Sequence, residues 1–265
     1  MEKIIIQPLS KIHQKWIRGL HQKKHRQEEN VFLAEGWNSF EAAAKFTHHR
    51  VKEIVFDRKQ AQRFHNYHIR GRFFDNNSVY MCTEKEMASI STEEHPQGII
   101  LICHQRNFAF EEAKEKLHHT IIYCEKISDP GNLGTIIRSA AWFGVRQILL
   151  GPSCVDPFNT KVIRSSAGSI FSMEIYQGVT SEELYRFARA KGYQVSATVP
   201  EGGLPIHERQ KANKNIILLG HESDGLSGEI IQKADQRISI PGTKDVESLN
   251  LAVAAAIIIY EITQK

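Results

Sequence analysis

The carboxy-terminal segment constrains the fold of this chain more than any other stretch. Residues 251–261 read LAVAAAIIIYE, so a helix formed here is apolar on nearly every side. Such a helix must be buried by a sheet on one flank and by another element, such as a second subunit, on the other. A polar loop, residues 240–250, leads into it and places Ser248 and Asn250 at its buried start, where backbone N–H groups favour polar ligands. Ordinary capping of a core helix is the alternative interpretation.

The segment 129–144 predicts a second helix with a single apolar stripe. The stripe consists of apolar residues at helical spacing: Leu133, Ile136, Ile137, Ala140 and Ala141. Thr135, Arg138 and Trp142 therefore share the opposite face, and a preceding Pro-Gly turn directs Asn132 toward the same end of the helix. A single arginine on such a face is most often only solvated, so Arg138 by itself does not establish a site.

A short apolar strand, residues 216–219, precedes a loop that holds two glycines and two acids. These are Gly220, Glu222, Asp224 and Gly225. In α/β proteins, ligands bind in loops that follow the carboxyl ends of strands. A Gly-x-Glu-x-x-Gly pattern alone marks only a turn, so its meaning depends on the other segments.

Taken in chain order, the three segments resemble the three motifs of the SpoU (TrmH-like) branch of the SPOUT RNA methyltransferases. The matching residues are Asn132, Gly134 and Arg138 in the first motif, Gly220, Glu222 and Gly225 in the second, and Pro241, Glu247, Ser248, Leu249 and Asn250 in the third. Order, spacing and helix-strand context agree over most of residues 120–262. Two positions depart from the family pattern: Gly242 stands where methionine is common, and Lys244 where glycine is common.

The resemblance implies S-adenosylmethionine as cofactor and a ribose 2′-hydroxyl of RNA as methyl acceptor. The implied catalytic residues are Asn132, Arg138, Glu222, Ser248 and Asn250. The implied cofactor-binding residues are Leu219, Gly220, Glu222, Gly225, Ile240, Pro241, Ser248, Leu249 and Asn250. The corresponding arginine is often proposed as general base, but a guanidinium would need its pKa lowered by roughly five units, or ~7 kcal/mol. We therefore expect Arg138 to hold a phosphate and stabilise charge, with proton removal assisted from nearby.

The resemblance also implies a fold and an assembly. The catalytic domain is expected to be an α/β domain with a parallel sheet, whose carboxy-terminal segment passes through an earlier loop to form a trefoil knot, a rare exception to the rule against threaded chains. Strand and helix patterns alternate after residue 120, as a parallel sheet requires. A homodimer packed through the first-motif helix and the final helix is implied as well.

Changes in composition divide the chain into two domains and a linker. Residues 1–104 are expected to form a small α/β domain, residues 105–118 a polar linker, and residues 119–265 the catalytic domain. In the first domain, strand-like segments alternate with helical patterns, and one helix is predicted to begin with a capping box at Thr83 and Glu86. Its position resembles that of the substrate-binding domain in many SpoU enzymes, which is similar to a family of ribosomal RNA-binding proteins.

The amino-terminal arm is strongly basic. No acid occurs from residue 3 to residue 27, and the whole chain has a net charge of +4. The following side chains are expected to contact RNA phosphates: Lys11, Lys15, Arg18, Lys23, Lys24 and Arg26. Trp16 lies among them and would either stack on a base or pack on the domain. A solvated basic helix is the alternative interpretation of the arm.

Other classes of protein find less support in the sequence. Neither the phosphate loop of nucleotide hydrolases nor the Gly-x-Gly-x-x-Gly of Rossmann folds occurs. No run reaches the ~18 apolar residues of a membrane helix, and the amino terminus lacks an apolar signal core, so we expect a cytoplasmic protein. The four cysteines are widely spaced, and the histidines show no metal-binding pattern, so neither a disulfide framework nor a metal site is expected.

The sequence therefore predicts an S-adenosylmethionine-dependent RNA (ribose-2′-O) methyltransferase. The separate amino-terminal domain favours ribosomal RNA, in particular 23S RNA, as the substrate. A transfer RNA substrate is the first alternative. The second is a noncatalytic RNA-binding protein, which the intact motif residues disfavour.

Overall fold

The chain, in a computed structural model, forms two compact units. The first comprises Met1–Arg106 and Phe158–Ser172, and the second comprises Asn107–Pro157 and Met173–Lys265. The structure describes residues 5–46, 50–68, 78–106, 108–110, 118–243, 245 and 248–264. Residues 158–172, which the sequence predicts to lie inside the catalytic domain, pack with the first unit instead.

The first unit is built on a five-stranded mixed sheet. Its strands are β1 Ile6–Pro8, β2 Val31–Glu35, β3 Val51–Asp57, β4 Ser78–Cys82 and β5 Ile99–His104. They lie in the order β1-β4-β3-β5-β2. β1, β4 and β3 run parallel, whereas β5 is antiparallel to both β3 and β2.

Short helices cover this sheet. They are α1 Lys11–Gly19, α2 Lys23–Glu29, α3 Trp37–Lys45, α4 Ala61–His68 and α5 Glu84–Ile90, with 3₁₀ turns at Arg58–Gln60 and Ser169–Ser172. The predicted capping box is confirmed, because the Thr83 side chain accepts from the Glu86 backbone and the Glu86 side chain accepts from the Thr83 backbone. Ile17 and Leu20 anchor the arm to the core that Leu33, Val55 and Ile100 line in the sheet.

The second unit contains a seven-stranded sheet. Its strands are β6 Thr120–Cys124, β7 Gln147–Leu150, β8 Glu174–Gln177, β9 Gln194–Thr198, β10 Leu204–Pro205, β11 Asn215–Leu219 and β12 Gln236–Ser239. They lie in the order β10-β12-β9-β11-β6-β7-β8, and every neighbouring pair is parallel. The predicted parallel sheet is confirmed. β6 and β11 are central strands, which is why both are nearly continuous apolar runs.

The helices from residue 130 onward are α6 Pro130–Trp142, α7 Thr160–Ser166, α8 Ser181–Lys191, α9 Gly228–Lys233 and α10 Leu251–Thr263, with a 3₁₀ turn at Ile206–Glu208. Of these, α7 belongs to the first unit. A capping box of Thr180 and Glu183 begins α8, and Gly192, in a left-handed conformation, ends it, as their positions in the sequence indicate.

The final helix, α10, is buried on one face only. That face packs against α6 and consists of Ala252, Ala255, Ile258, Ile259 and Ile262. Within this chain, the opposite face leaves Val253, Ile257 and Tyr260 exposed. The expected buried start of the helix is wrong for a single chain, since Ser248 and Asn250 are exposed. They lie where the strands end, and no described part of the chain covers them.

The cysteines are free thiols. Cys82, Cys103 and Cys124 are buried, and Cys154 is partly exposed. Burial raises the pKa of the Cys82 thiol to about 12 and that of Cys103 further still, so both stay protonated at neutral pH. The described residues contain no cluster of three or more potential metal ligands, and none of their helices has the length and apolar character to cross a membrane.

Candidate functional site

Two neighbouring loops leave the carboxyl edge of the parallel sheet side by side. β6 and β11 pair in register, with Cys124 opposite Leu219, so residues 125–129 and residues 220–227 emerge together. The backbone N–H of Glu125 donates to the carbonyl of Leu219 at 2.8 Å. The N–H of Ser227 donates to the buried Glu125 carboxylate, also at 2.8 Å. These bonds hold the first and second motifs in a fixed relation.

Glu222 is the centre of this arrangement. Its Oε2 accepts hydrogen bonds from the backbone N–H and the hydroxyl of Ser128, at 3.3 Å and 3.1 Å. Its Oε1 accepts from the N–H of Asp129 at 3.0 Å and from Asn132 Nδ2 at 3.3 Å. Partial burial would raise the pKa of Glu222, but these donors outweigh it and lower the pKa to about 2. The carboxylate is therefore ionised and fully engaged at neutral pH.

The third motif joins the network through a pair of amides. Asn250 Nδ2 donates to Asn132 Oδ1 at 3.1 Å. Asn250 Oδ1 in turn accepts the backbone N–H groups of Ala252 and Val253, at 2.9 Å and 3.3 Å, and so caps α10. Glu222, Asn132 and Asn250 thus form one continuous chain of hydrogen bonds. The structure brings together one residue from each of the three sequence motifs.

The glycines of the second motif are required by backbone geometry. A Cβ on Gly220 would lie 2.2 Å from the carbonyl carbon of Gly225 and 2.3 Å from the nitrogen of Leu226. Gly225 itself has φ of 68°, a left-handed conformation. His221 closes this turn, because its Nδ1 accepts the N–H groups of Ser223 at 3.2 Å and Asp224 at 3.3 Å.

The remaining expected cofactor residues lie at the same edge of the sheet. Leu219 is buried at the end of β11, and Ile240 and Pro241 follow β12 directly. Ser248 and Leu249 are exposed and lead into Asn250 at the start of α10. The described contacts do not join Ile240 or Pro241 to Glu222. Lys244 and Glu247 lie outside the described residues.

Arg138 occupies the exposed face of α6, as its spacing predicts. It is six residues after Asn132, about 9 Å farther along the helix axis. Among the described residues it has neither a hydrogen-bond nor an ion-pair partner, so its guanidinium is available to a ligand. The structure therefore separates Arg138 from the Glu222 network within one chain.

Three contributors to the site were not predicted from the sequence. Ser128 and Asp129 supply the N–H groups that hold Glu222, and His221 fixes the turn that contains Glu222. Asp129 had a recognisable signal, because it precedes proline as a helix N-cap and accepts the N–H of Asn132 at 2.8 Å. Ser128 and His221 carry no such local signal.

The basic arm forms α1 and α2 of the first unit. Five of its six expected cations are exposed: Lys11, Lys15, Arg18, Lys23 and Lys24. Arg26 is the exception and departs from the prediction, since it is only 2% exposed and donates to the carbonyls of Leu20 and His21 at 3.1 Å and 2.8 Å. Trp16 packs beside the core cluster, with the Lys52 ammonium 5.0 Å from its ring centre, which favours packing over base stacking.

Comparisons with known proteins agree with this architecture. Residues 119–260 match the SpoU rRNA Methylase family, and residues 11–101 match the MRM3-like substrate binding domain. The 23S rRNA (guanosine(2553)-2'-O)-methyltransferase RlmP of Bacillus subtilis is 32% identical, over 92% of this chain and 92% of that protein. An uncharacterized tRNA/rRNA methyltransferase of Synechocystis is 31% identical over 93% of this chain and 89% of that protein.

A solved structure extends the likeness to three dimensions. The crystal structure of an AdoMet-bound rRNA methyltransferase from Sinorhizobium meliloti aligns with a TM-score of 0.83 and 30% identity, covering 98% of this chain and 97% of that one. A parallel sheet with three converging motifs at its carboxyl edge defines a methyltransferase of the SPOUT class. The chain belongs to the SpoU rRNA methylase family. It is an S-adenosylmethionine-dependent RNA methyltransferase.

Proposed function

We propose that this protein methylates a ribose 2′-hydroxyl in 23S ribosomal RNA. The observation that carries the proposal is the hydrogen-bonded chain from Glu222 through Asn132 to Asn250, which assembles all three motifs at one sheet edge. Similarity to the Bacillus subtilis enzyme over nearly the whole of both chains supports the choice of acceptor and RNA. The match of the amino-terminal residues to a substrate-binding domain supports the same choice.

The residues at the sheet edge fit S-adenosylmethionine. Residues 241–243 and 248–250 are exposed and belong to the segment that leads from β12 to α10, and this cofactor has no phosphate that would require a phosphate loop. We assign its binding to Leu219, Gly220, Gly225, Ile240, Pro241, Ser248 and Leu249, together with the network residues. When bound, it supplies a methyl group attached to a cationic sulfur.

In the proposed mechanism, Glu222, Asn132 and Asn250 hold the methyl acceptor in position. Glu222 is a poor proton acceptor, because four protein donors occupy its oxygens and its pKa is about 2. It orients Asn132, which Asn250 holds from the other side. One N–H of the Asn132 amide remains after its bond to Glu222, and it can donate to a ligand. Preorganised amides of this kind align the acceptor without a reorganisation cost.

Arg138 provides the charge in this mechanism. Its guanidinium binds the phosphate next to the target ribose and stabilises negative charge as it develops on the 2′-oxygen. A planar fork of donors can serve both groups. The hydroxyl thereby becomes easier to deprotonate, and its proton passes to a neighbouring group or to water.

The test is to locate the methyl group. Purified protein is incubated with labelled S-adenosylmethionine and either 23S ribosomal RNA or total transfer RNA. A ribose 2′-O-methyl group blocks alkaline cleavage at one position, since the product has no 2′-hydroxyl to attack the adjacent phosphodiester. Label in 23S RNA at one alkali-resistant position is expected. Label on a base would overturn the proposed acceptor, and label in transfer RNA alone would overturn the proposed substrate.

We further propose a homodimer. Its support is an apolar face of α6 and α10 that the described part of the chain leaves exposed, formed by Trp142, Val253, Ile257 and Tyr260. Trp142 is 84% exposed, which is unusual for the largest apolar side chain. Phe143 and Tyr260, with ring centres 5.5 Å apart, join the two helices into one continuous surface.

A trefoil knot, the predicted domain boundaries and a cytoplasmic location complete the proposal. The turn at Ile206–Glu208 is held to α10 by Arg209, which donates to the carbonyl of Glu261 at 3.0 Å, as expected where an earlier loop surrounds the final helix. Residues 1–104, 105–118 and 119–265 serve as substrate-binding domain, linker and catalytic domain, except that residues 158–172 pack with the first unit. The family matches to residues 11–101 and 119–260 support this division. We infer the cytoplasmic location from the proposed ribosomal RNA substrate.

A further inference from the structure

The loop between β6 and α6 contains an unexpected backbone conformation at Lys126. In the described ranges, three non-glycine residues have positive φ: Asn30, Lys126 and Ala167. Asn30 and Ala167 end α2 and α7, where a left-handed residue is common. Lys126, with φ of 58°, ends no helix. A lysine in this conformation is strained, whereas glycine or asparagine would adopt it more easily.

Hydrogen bonds on both sides of Lys126 account for the turn. The Cys124 carbonyl accepts the N–H of Gly151 at 2.9 Å, and the Ile127 carbonyl accepts the N–H of Val155 at 2.9 Å. Ile127 is completely buried. Lys126 is therefore held between two fixed neighbours with its own side chain exposed. These contacts explain the backbone, but not the presence of a lysine in it.

The Lys126 ammonium has no hydrogen-bond or ion-pair partner in the described part of the chain. Three acids of the two loops have donors of their own, because Glu125 accepts from Ser227, Asp129 from Asn132, and Glu222 from Ser128, Asp129 and Asn132. The fourth, Asp224, is exposed, and its Oδ2 lies 3.7 Å from His221 Nδ1. An exposed cation thus lies at the ligand-binding edge, and no acid among the described residues forms an ion pair with it. Strained residues that persist beside a site point to a functional constraint.

We propose that Lys126 binds a phosphate of the RNA substrate at the rim of the methyl-transfer site, as a contact additional to Arg138. The inference rests on the proposed function, RNA methylation. The loop that carries Lys126 also carries Ser128 and Asp129, which hold Glu222, so a phosphate bound here lies at the edge where the three motifs meet. RNA is favoured over the cofactor carboxylate, because the proposed cofactor loops follow β11 and β12 rather than β6.

Four substitutions separate charge from strain. Lys126→Ala removes the charge and keeps the strained conformation, and Lys126→Arg keeps both. Lys126→Asn and Lys126→Gly remove the charge and relieve the strain. Lys211→Ala is the matched control, since Lys211 is an exposed lysine four residues before β11, at the opposite edge of the sheet. For each variant, affinity for transcribed 23S RNA is measured at salt concentrations between about 50 and 200 mM. The affinity for S-adenosylmethionine is measured by calorimetry, and the melting temperature is measured by thermal unfolding.

If Lys126 binds one phosphate, that contact should be lost in Lys126→Ala, Lys126→Asn and Lys126→Gly. The slope of log affinity against log salt should become shallower by about 0.7 to 0.9, so wild-type affinity falls about threefold more than theirs over this salt range. Asn and Gly should also raise the melting temperature by roughly 2 to 4 °C. Lys126→Arg and Lys211→Ala should bind RNA as the wild type does, and cofactor affinity should stay unchanged throughout.

Two results would overturn the assignment. Lys126→Ala with the wild-type salt slope would show that the side chain touches no phosphate. Weaker S-adenosylmethionine binding in that variant would place the ammonium on the cofactor instead. The position of the methyl group made by the wild type is scored in the same preparation, so failure of the proposed function is seen separately from failure of the Lys126 contact.

Discussion

At the residue scale, Glu222 illustrates how an acid can serve a site without acting as an acid or a base. Four donors converge on its carboxylate, and they lower its pKa to about 2. These donors belong to Ser128, Asp129 and Asn132, and an ionised carboxylate, which has no proton of its own to donate, accepts from all four. The charge of Glu222 therefore stabilises the loop.

Glu222→Gln should destabilise the second unit in a pH-dependent way. The amide would turn donors toward the donors of Ser128 or Asn132. A folded pKa near 2 against an ordinary 4.5 corresponds to at most about 3 kcal/mol, which solvent screening of this partly exposed group reduces to about 1 to 2 kcal/mol. Because the pKa is lowered by folding, this stability is present above pH ~4.5 and is lost as the pH falls toward 2.

Urea unfolding of wild type and Glu222→Gln at neutral pH and at several values down to about pH 3 measures this effect. The difference in unfolding free energy between the two proteins should narrow as the pH falls. A difference of constant size would mean that the carboxylate charge does not stabilise the loop.

Arg138→Ala should abolish methyl transfer while leaving the fold and S-adenosylmethionine binding nearly intact. Arg138 is exposed and has no partner in the described chain, so its removal takes nothing from the core. Removing one preorganised charged group from a site typically lowers the rate by roughly a hundred- to a thousandfold. Lysine should rescue poorly, since it lacks the planar fork.

Single-turnover transfer at saturating RNA and cofactor measures the effect of Arg138→Ala. Arg189→Ala on the exposed side of α8 is the matched control. Near-normal turnover would remove Arg138 from the mechanism. Loss of cofactor binding together with activity would move it to the cofactor site.

At the element scale, the arm combines a basic surface with a structural anchor. Ile17 and Leu20 are completely buried, and Arg26 is tied to carbonyls of the turn between α1 and α2. Deleting the arm would therefore expose core residues as well as remove charge. Point substitutions are the sharper test of RNA binding.

Neutralising Lys11, Lys15, Arg18, Lys23 and Lys24 together should weaken RNA binding and flatten its salt dependence. Each phosphate that the arm no longer neutralises should reduce the slope by somewhat less than one unit. Arg26→Ala should instead lower the melting temperature, because it leaves buried carbonyls without their donor. Filter binding across a salt series, with thermal unfolding beside it, distinguishes the two effects. An unchanged slope in the five-site variant would leave the arm as a solvated surface.

At the scale of the whole molecule, the apolar face of α6 and α10 is a surface that one chain leaves open to water. Ile257→Asp should split the proposed dimer, because a carboxylate there would have to be desolvated between apolar side chains. Leu204→Asp is the control, since Leu204 is similarly exposed but lies on the edge strand β10. Sedimentation velocity at micromolar concentration should give a dimer for wild type and control and a monomer for Ile257→Asp. A monomeric wild type would refute the dimer.

Features that depend on local chemistry could be predicted from the amino-acid sequence alone. They include the capping boxes at Thr83 and Thr180, the left-handed stop at Gly192, the strand at 120–124 and the apolar stripe of α6. Each follows from residues within a few positions of one another, whose backbone groups and side chains must satisfy each other wherever the segment lies. The parallel sheet followed from the alternation of such segments.

Which side chains meet, by contrast, emerged only from the three-dimensional fold. Asn132 lies 90 positions from Glu222 and 118 from Asn250, and no local pattern encodes those bonds. The burial of Arg26, the role of Ser128 and the packing of residues 158–172 with the first unit were likewise outside the reach of spacing. Burial and long-range hydrogen bonding depend on how elements pack, whereas a sequence pattern describes only the faces that each element offers for packing.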